Sequence, residues 1–166
     1  RTQRRAQSDP LTGLANRHAA AQALGERLGR IPEPLTVMLL DLDEFKRVND
    51  SHGHQAGDAA LCHVVNVLRS VLHSDEMLMR IGGEEFLYIS QLSTKETFSR
   101  LEILRQKVAE SNYSPGNGQA SRQITLSAGT ANYPEDGSDM SSLLRCADLR
   151  LSKAKGNGRN QVLAHG

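Results

Sequence analysis

The sequence predicts one α/β (α+β) domain, a mixed or antiparallel central sheet flanked by helices. Three observations lead there. A continuous apolar run at residues 35–40, bounded by turn residues, has the pattern of a strand covered on both faces. Two strand-like runs, 77–81 and 86–89, are separated by Gly82 and Gly83, which suit the two-residue turn of a β-hairpin. A hairpin rules out a purely parallel doubly wound sheet. Finally, Leu61, Val64, Val65, Leu68 and Leu72 recur at helical spacing, as do Met140, Leu143, Leu144, Ala147, Leu151 and Ala154.

The remaining elements follow in order. Residues 1–8, with Arg1, Arg4 and Arg5, read as a linker or the end of an incoming helix, and 9–166 as the domain. Asn16 is a good N-cap for an Ala-rich helix reaching about Gly29, which Ile31-Pro32-Glu33-Pro34 breaks. The strand at 35–40 ends directly on Asp41-Leu42-Asp43. The next amphipathic helix spans about 59–73. Ser93 with Glu96 forms a capping box for a helix to about Glu110. Residues 112–121 are a Gly/Asn/Ser/Pro loop, 124–131 a strand, and the stripe from Met140 a helix stopped by Gly156-Asn157-Gly158. A short last strand is expected at 161–163.

Size and composition narrow the function. A chain of 166 residues with 38% hydrophobic content can bury a core without disulfides or zinc. Its two cysteines, Cys62 and Cys146, fall in helical stretches and fit a reducing cytoplasm. Net charge is +1 and aromatics make up 4%, with no Trp, so neither a basic nucleic-acid face nor a base-stacking platform is expected. No apolar run approaches the roughly 20 residues that span a bilayer, so this domain is expected to make no membrane contact itself. The chain opens on Arg1, as a piece of a longer protein would, and a membrane or sensor segment would then lie upstream.

Two acidic clusters fall where chemistry is commonly placed. Asp41 terminates a buried strand, and Glu84-Glu85 stand at the hairpin tip after two glycines. A hairpin beside that strand can bring Glu84 level with Asp41. The pair would then supply hard oxygen ligands suited to Mg²⁺, which binds carboxylates together with phosphate oxygens. Gly82 and Gly83 would let a phosphate-bearing ligand approach the backbone. The alternative is an ordinary exposed acidic turn. His52 and His54 form an H-x-H pair, but no Cys or His cluster accompanies them, so zinc is not expected.

The surrounding motifs go further. Asp41-Leu42-Asp43-Glu44-Phe45-Lys46-Arg47-Val48-Asn49-Asp50, Gly53-His54-Gln55-Ala56-Gly57-Asp58 and Arg80-Ile81-Gly82-Gly83-Glu84-Glu85-Phe86 resemble the GGDEF family of diguanylate cyclases, in order. The opening Asp9-Pro10-Leu11-Thr12-Gly13-Leu14-Ala15-Asn16-Arg17, then Ser127-Ala128-Gly129, Ala147-Asp148 and Lys155-Gly156-Asn157-Gly158-Arg159-Asn160, are similar to that family's other motifs. The resemblance runs from Asp9 to Val162. It implies a nucleotidyl-cyclase- or polymerase-palm-like βαββαβ core and a homodimer that joins two GTP into cyclic di-GMP. It also implies two Mg²⁺, or Mn²⁺, on Asp41, Glu84 and the Leu42 carbonyl, and a triphosphate held by Lys46, Lys155 and Arg159. Glu85 would activate the 3′-hydroxyl or stabilise the transition state, with its division of labour with Glu84 left open.

Asn49 and Asp58 match the family's guanine-reading pair, and the physics agrees. A carboxylate accepts both Watson–Crick donors of guanine, whereas adenine would present it with a lone pair; such sites discriminate by roughly 10⁴–10⁵. A cap for the helix near Ala59 is the other reading of Asp58. Phe45 and Leu61 would form the pocket's floor and wall, and His54 would order the adjoining loop. Two departures stand out. His73-Ser74-Asp75-Glu76 occupies the window where many members carry the R-x-x-D that binds inhibitory product, so weak product inhibition is expected. Arg150 and Ser152, one turn from Lys155, replace a small residue and Tyr and could alter nucleotide affinity. Rival readings are a non-catalytic nucleotide-binding module and a nucleotidyl transferase with another substrate.

Overall fold

The computed structural model describes residues 7–29, 34–92, 94–116 and 118–166. The basic residues Arg1, Arg4 and Arg5, the breaker at 31–33 and the Ser93 cap lie outside them. Five strands form one sheet in the order β2-β3-β1-β4-β5, where β1 is Leu35–Leu42, β2 Met77–Arg80, β3 Glu85–Ser90, β4 Leu126–Tyr133 and β5 Val162–Leu163. β1 runs antiparallel to both β3 and β4, while β5 is parallel to β4, so the sheet is mixed. The helices are α1 Arg17–Leu28, α2 Phe45–His52, α3 His54–Val71, α4 Thr94–Glu110 and α5 Met140–Gly156.

Every residue of β1 is buried, because helices cover both faces of the sheet. Met38, Leu40 and Leu42 point into a core shared with Phe45, Leu61, Val64, Leu68 and Leu104. Val37 and Leu39 face the other way, toward Leu24, Leu143 and Leu151 of α1 and α5. This period of two is what a strand imposes. Gly129 brings α5 onto β4: a Cβ there would overlap the Ala147 carbonyl and the Leu151 amide and stand 2.8 Å from the Arg150 carbonyl carbon. The close approach aims the last turn of α5 at the end of β1.

Several boundaries differ from the sequence reading. β1 extends to Leu42, so Asp41 lies inside the strand, paired with Glu85 of β3. The polar stretch after it is a helix, α2, unread in the sequence because only Phe45 of its eight residues is buried. Gly53, at φ +85°, separates α2 from α3, which starts at His54 rather than near Ala59 and stops at Val71. Asp58 is therefore inside α3 and is not its cap. The β2–β3 ladder ends at Arg80↔Phe86, so the turn is wider than the two glycines, and the Ile81 and Gly82 amides both donate to the Glu85 carbonyl. β4 begins two residues later than expected, at Leu126, and the Asp43 amide donates to the Thr125 carbonyl just before it.

Candidate active site

The hairpin tip meets the end of the central strand. The Leu42 amide donates to the Glu84 carbonyl at 3.2 Å, extending the β1–β3 pairing past Asp41↔Glu85. The register thus brings the Asp41 and Glu84 carboxylates near enough to repel. Burial, then the Asp41 charge, push Glu84 above the usual carboxylate range, and the Lys155 ammonium partly offsets this. Asp41 is also raised, by burial first; its pairing with Lys155 opposes that, and Asp43 adds to it. Lys155, half-buried on the last turn of α5, forms an ion pair with Asp41 Oδ2. The other oxygen, Oδ1, is buried without a hydrogen-bond partner. An orphaned carboxylate oxygen inside a region of excess negative charge suits a cation.

No group of three or more His, Cys, Asp or Glu poised for a metal occurs among the described residues. Two carboxylates with a neighbouring backbone carbonyl fit a hard divalent ion that completes its shell with phosphate oxygens, rather than an all-protein cage. Gly83 opens onto free space on this edge, and a Cβ on Gly82 would stand 3.1 Å from Glu85 Oε1. His52 ends α2 and His54 begins α3, on either side of Gly53.

Beside this edge, α2 and α3 pack closely enough to form a notch. A Cβ on Gly57 would overlap Asn49 Oδ1 and stand 2.9 Å from Asn49 Cγ and 3.1 Å from Phe45 Cζ. Asn49 Oδ1 is buried without a hydrogen-bond partner, as Asp41 Oδ1 is. Phe45 and Leu61 are buried beneath, while Lys46, His54 and Asp58 are exposed. Arg159 is exposed too, at φ +65°, in the loop after α5; it lines a cleft with Asp43 and Arg47.

Three residues that shape the site were not singled out in the sequence. The Arg80 guanidinium donates to the Gly82 and Gly83 carbonyls, the latter at 2.7 Å, and to both oxygens of Asp9 at 3.1 Å. Asp9 also takes the Thr12 amide and hydroxyl. The opening motif is thus a clamp on the hairpin that carries Glu84. Asp43, buried, accepts from Thr125 Oγ1 at 2.7 Å, Ser127 Oγ at 2.6 Å and the Asn160 amide at 3.0 Å, tying β1 to β4 and to the loop bearing Arg159. The only sequence signal for these was membership in a recurring motif.

The two departures acquire structural explanations. Arg150 is buried in a bidentate ion pair with Asp136, at 3.0 and 3.1 Å, and donates to the Thr130 carbonyl. Its guanidinium is thus engaged by Asp136 and the Thr130 carbonyl. Glu76 is also buried, taken by Arg100 at 2.6 Å, the His73 amide at 2.8 Å and the Tyr88 hydroxyl.

A family profile described as "Diguanylate cyclase, GGDEF domain" matches residues 6–161. A diguanylate cyclase of Vibrio cholerae is 36% identical over 160 residues, covering 94% of this chain and 49% of that protein. The cyclic di-GMP phosphodiesterase NbdA of Pseudomonas aeruginosa is 37% identical over 161 residues, covering 95% of this chain and 20% of that protein. The chain therefore spans about half or less of the length of these curated relatives. The GGDEF domain of DgcB from Caulobacter crescentus, solved in complex with c-di-GMP, superposes with a TM-score of 0.89 at 31% identity, covering 99% of this chain and 98% of that one. With the profile spanning nine of the ten elements, all but β5, and with Asp41 and the Gly82-Gly83-Glu84-Glu85-Phe86 turn meeting at one edge of the sheet, the chain belongs to the GGDEF domain family.

Proposed function

We propose that residues 9–166 are a diguanylate cyclase domain, acting in the cytoplasm as the output of a larger protein in which residues 1–8 end an upstream linker. It condenses two GTP into cyclic di-GMP at a homodimer interface. The observation that carries this reading is the meeting of Asp41, Glu84 and Lys155 at one strand end, with a buried carboxylate oxygen left unpartnered. Asp41, Glu84 and the Leu42 carbonyl would hold Mg²⁺, with Mn²⁺ as a substitute. When bound, such ions activate an attacking oxygen and neutralise a departing one.

The chain's own residues do the rest. Asn49 and Asp58 read the guanine edge over Phe45 and Leu61, and His54 orders the start of α3. Lys46, Lys155 and Arg159 hold the triphosphate and offset the charge that grows on pyrophosphate as it leaves. Gly82 and Gly83 give the ligand access to the hairpin backbone. Glu85, beside Glu84, activates the 3′-hydroxyl by taking its proton or stabilises the transition state. That oxygen, from the GTP of one domain, attacks the α-phosphorus held by its partner; the bond to the bridging oxygen breaks and pyrophosphate departs. Two such events close the ring.

A non-catalytic nucleotide-binding module is the second reading, favoured by the likeness to NbdA, a protein named as a phosphodiesterase. Incubating concentrated protein with Mg²⁺ and either GTP or ATP separates the two. Mass spectrometry should find cyclic di-GMP from GTP alone, and none from Asp41→Ala. GTP bound without turnover at high protein concentration would overturn the cyclase reading.

A further inference from the structure

Behind α2, on the side away from Phe45 and Asn49, lies a polar cleft of about 730 Å³, a volume typical of small-ligand sites. Arg47 enters it from α2, Arg122 from the strand-like pairing with Tyr113, and Arg159 from the loop after α5. The acids around it offer these cations little. Asp43 already accepts from Thr125, Ser127 and Asn160, and Glu44 pairs with Arg47 at 3.5 Å while both stay exposed. Among the described residues, no carboxylate pairs with Arg122 or Arg159. The rim is also held in place. Arg159 and Asn160 both have positive φ, and Asn160 is anchored through its amide to Asp43 at 3.0 Å and through its side chain to Arg105 at 2.8 Å. Guanidinium forks on a fixed rim match phosphate oxygens two at a time.

We propose that this cleft is a subsite for the released pyrophosphate. The inference rests on the cyclase reading, because Arg159 is there assigned to the triphosphate. Arg159 then belongs to both places: it holds the terminal phosphates before bond breaking and hands the anion to Arg47 and Arg122 afterwards. Pyrophosphate carries away the bridging oxygen and its electron pair, so its charge rises on release, when additional cations matter most. Clearing it from the substrate edge makes room for the second condensation.

Titration calorimetry of the protein with inorganic pyrophosphate, in metal-free buffer without GTP, tests this. Arg47→Gln and Arg122→Gln should each weaken pyrophosphate binding at least about fivefold, whereas Arg145→Gln, an exposed cation elsewhere, should not. In turnover assays the same two variants should lose pyrophosphate inhibition while KM for GTP stays within about twofold. Unchanged pyrophosphate affinity in both variants, or a parallel loss of GTP affinity, overturns the subsite. Binding through Arg47 and Arg122 without any cyclic di-GMP formed would instead sink the cyclase reading, so the two failures are distinct.

Discussion

Gly57→Ala should separate substrate recognition from stability. The new methyl would overlap Asn49 Oδ1 and crowd Asn49 Cγ at 2.9 Å, so the carboxamide must swing out of its notch. Being the end of a flexible side chain, it can do so at little cost. Phe45 Cζ, at 3.1 Å, need give only a few tenths of an ångström. Against that strain stands the gain of about 1 kcal/mol for Ala over Gly inside a helix. Net stability should therefore change by less than about 1 kcal/mol, a melting shift of roughly 4 °C or less for a domain this size. Recognition should suffer more. Losing the hydrogen bond proposed between Asn49 and guanine should cost about 1–2 kcal/mol, or roughly tenfold in KM for GTP. Initial rates against GTP concentration, with thermal melts on the same samples, measure both. An unchanged KM alongside a damaging Asn49→Ala, or a melting temperature that collapses, would refute this account of the notch.

Three further outcomes follow from the same structure. Arg80→Lys keeps a charge but loses the fork that grips Asp9 and two turn carbonyls, so turnover should drop at least about tenfold while the melting temperature moves only a few degrees. Burial alone would raise the Glu76 pKa, yet hydrogen bonds from Arg100, the His73 amide and Tyr88 outweigh it and hold the carboxyl below its usual value. Its stabilising contribution is therefore present above the unfolded-state pKa and lost as pH falls through the lower folded value. Glu76→Gln should lower stability at neutral pH by about 3 kcal/mol and flatten that acid-side loss, as melts across the acid range will show. Since Glu76 is consumed inside the fold, added cyclic di-GMP should inhibit turnover only weakly; sub-micromolar inhibition abolished by His73→Ala would contradict this.

What could be read in the sequence, and what could not, divides along physical lines. β1 was legible because helices cover both its faces, leaving an unbroken apolar run. α2 was not, since one buried residue in eight makes no stripe. Asp41 and Glu84 stood out as acids beside a strand end and a turn, and the structure brings them together through backbone pairing that the hairpin already suggested. Arg80 and Asp9 are 71 positions apart, and Asp43 lies more than 80 from its two hydroxyl donors; no local pattern encodes such partners. Arg150, read beside Lys155 in the sequence, pairs with Asp136 for a geometric reason. Five residues along a helix turn the side chain by roughly 140°, so it and Lys155 address different neighbours.

The Asp41↔Glu85 pairing has a consequence for how the domain can vary. The Asp41–Glu85 spacing is a property of hydrogen-bonded neighbours in one sheet, and Glu84 stands in the turn one residue before β3. Inserting or deleting a single residue between Arg80 and Phe86 would shift the alternation of sides and swap which glutamate looks across at Asp41. Length changes should thus be tolerated in the chain between α4 and β4 and rejected at this turn, making the hairpin a ruler whose graduations the chemistry reads.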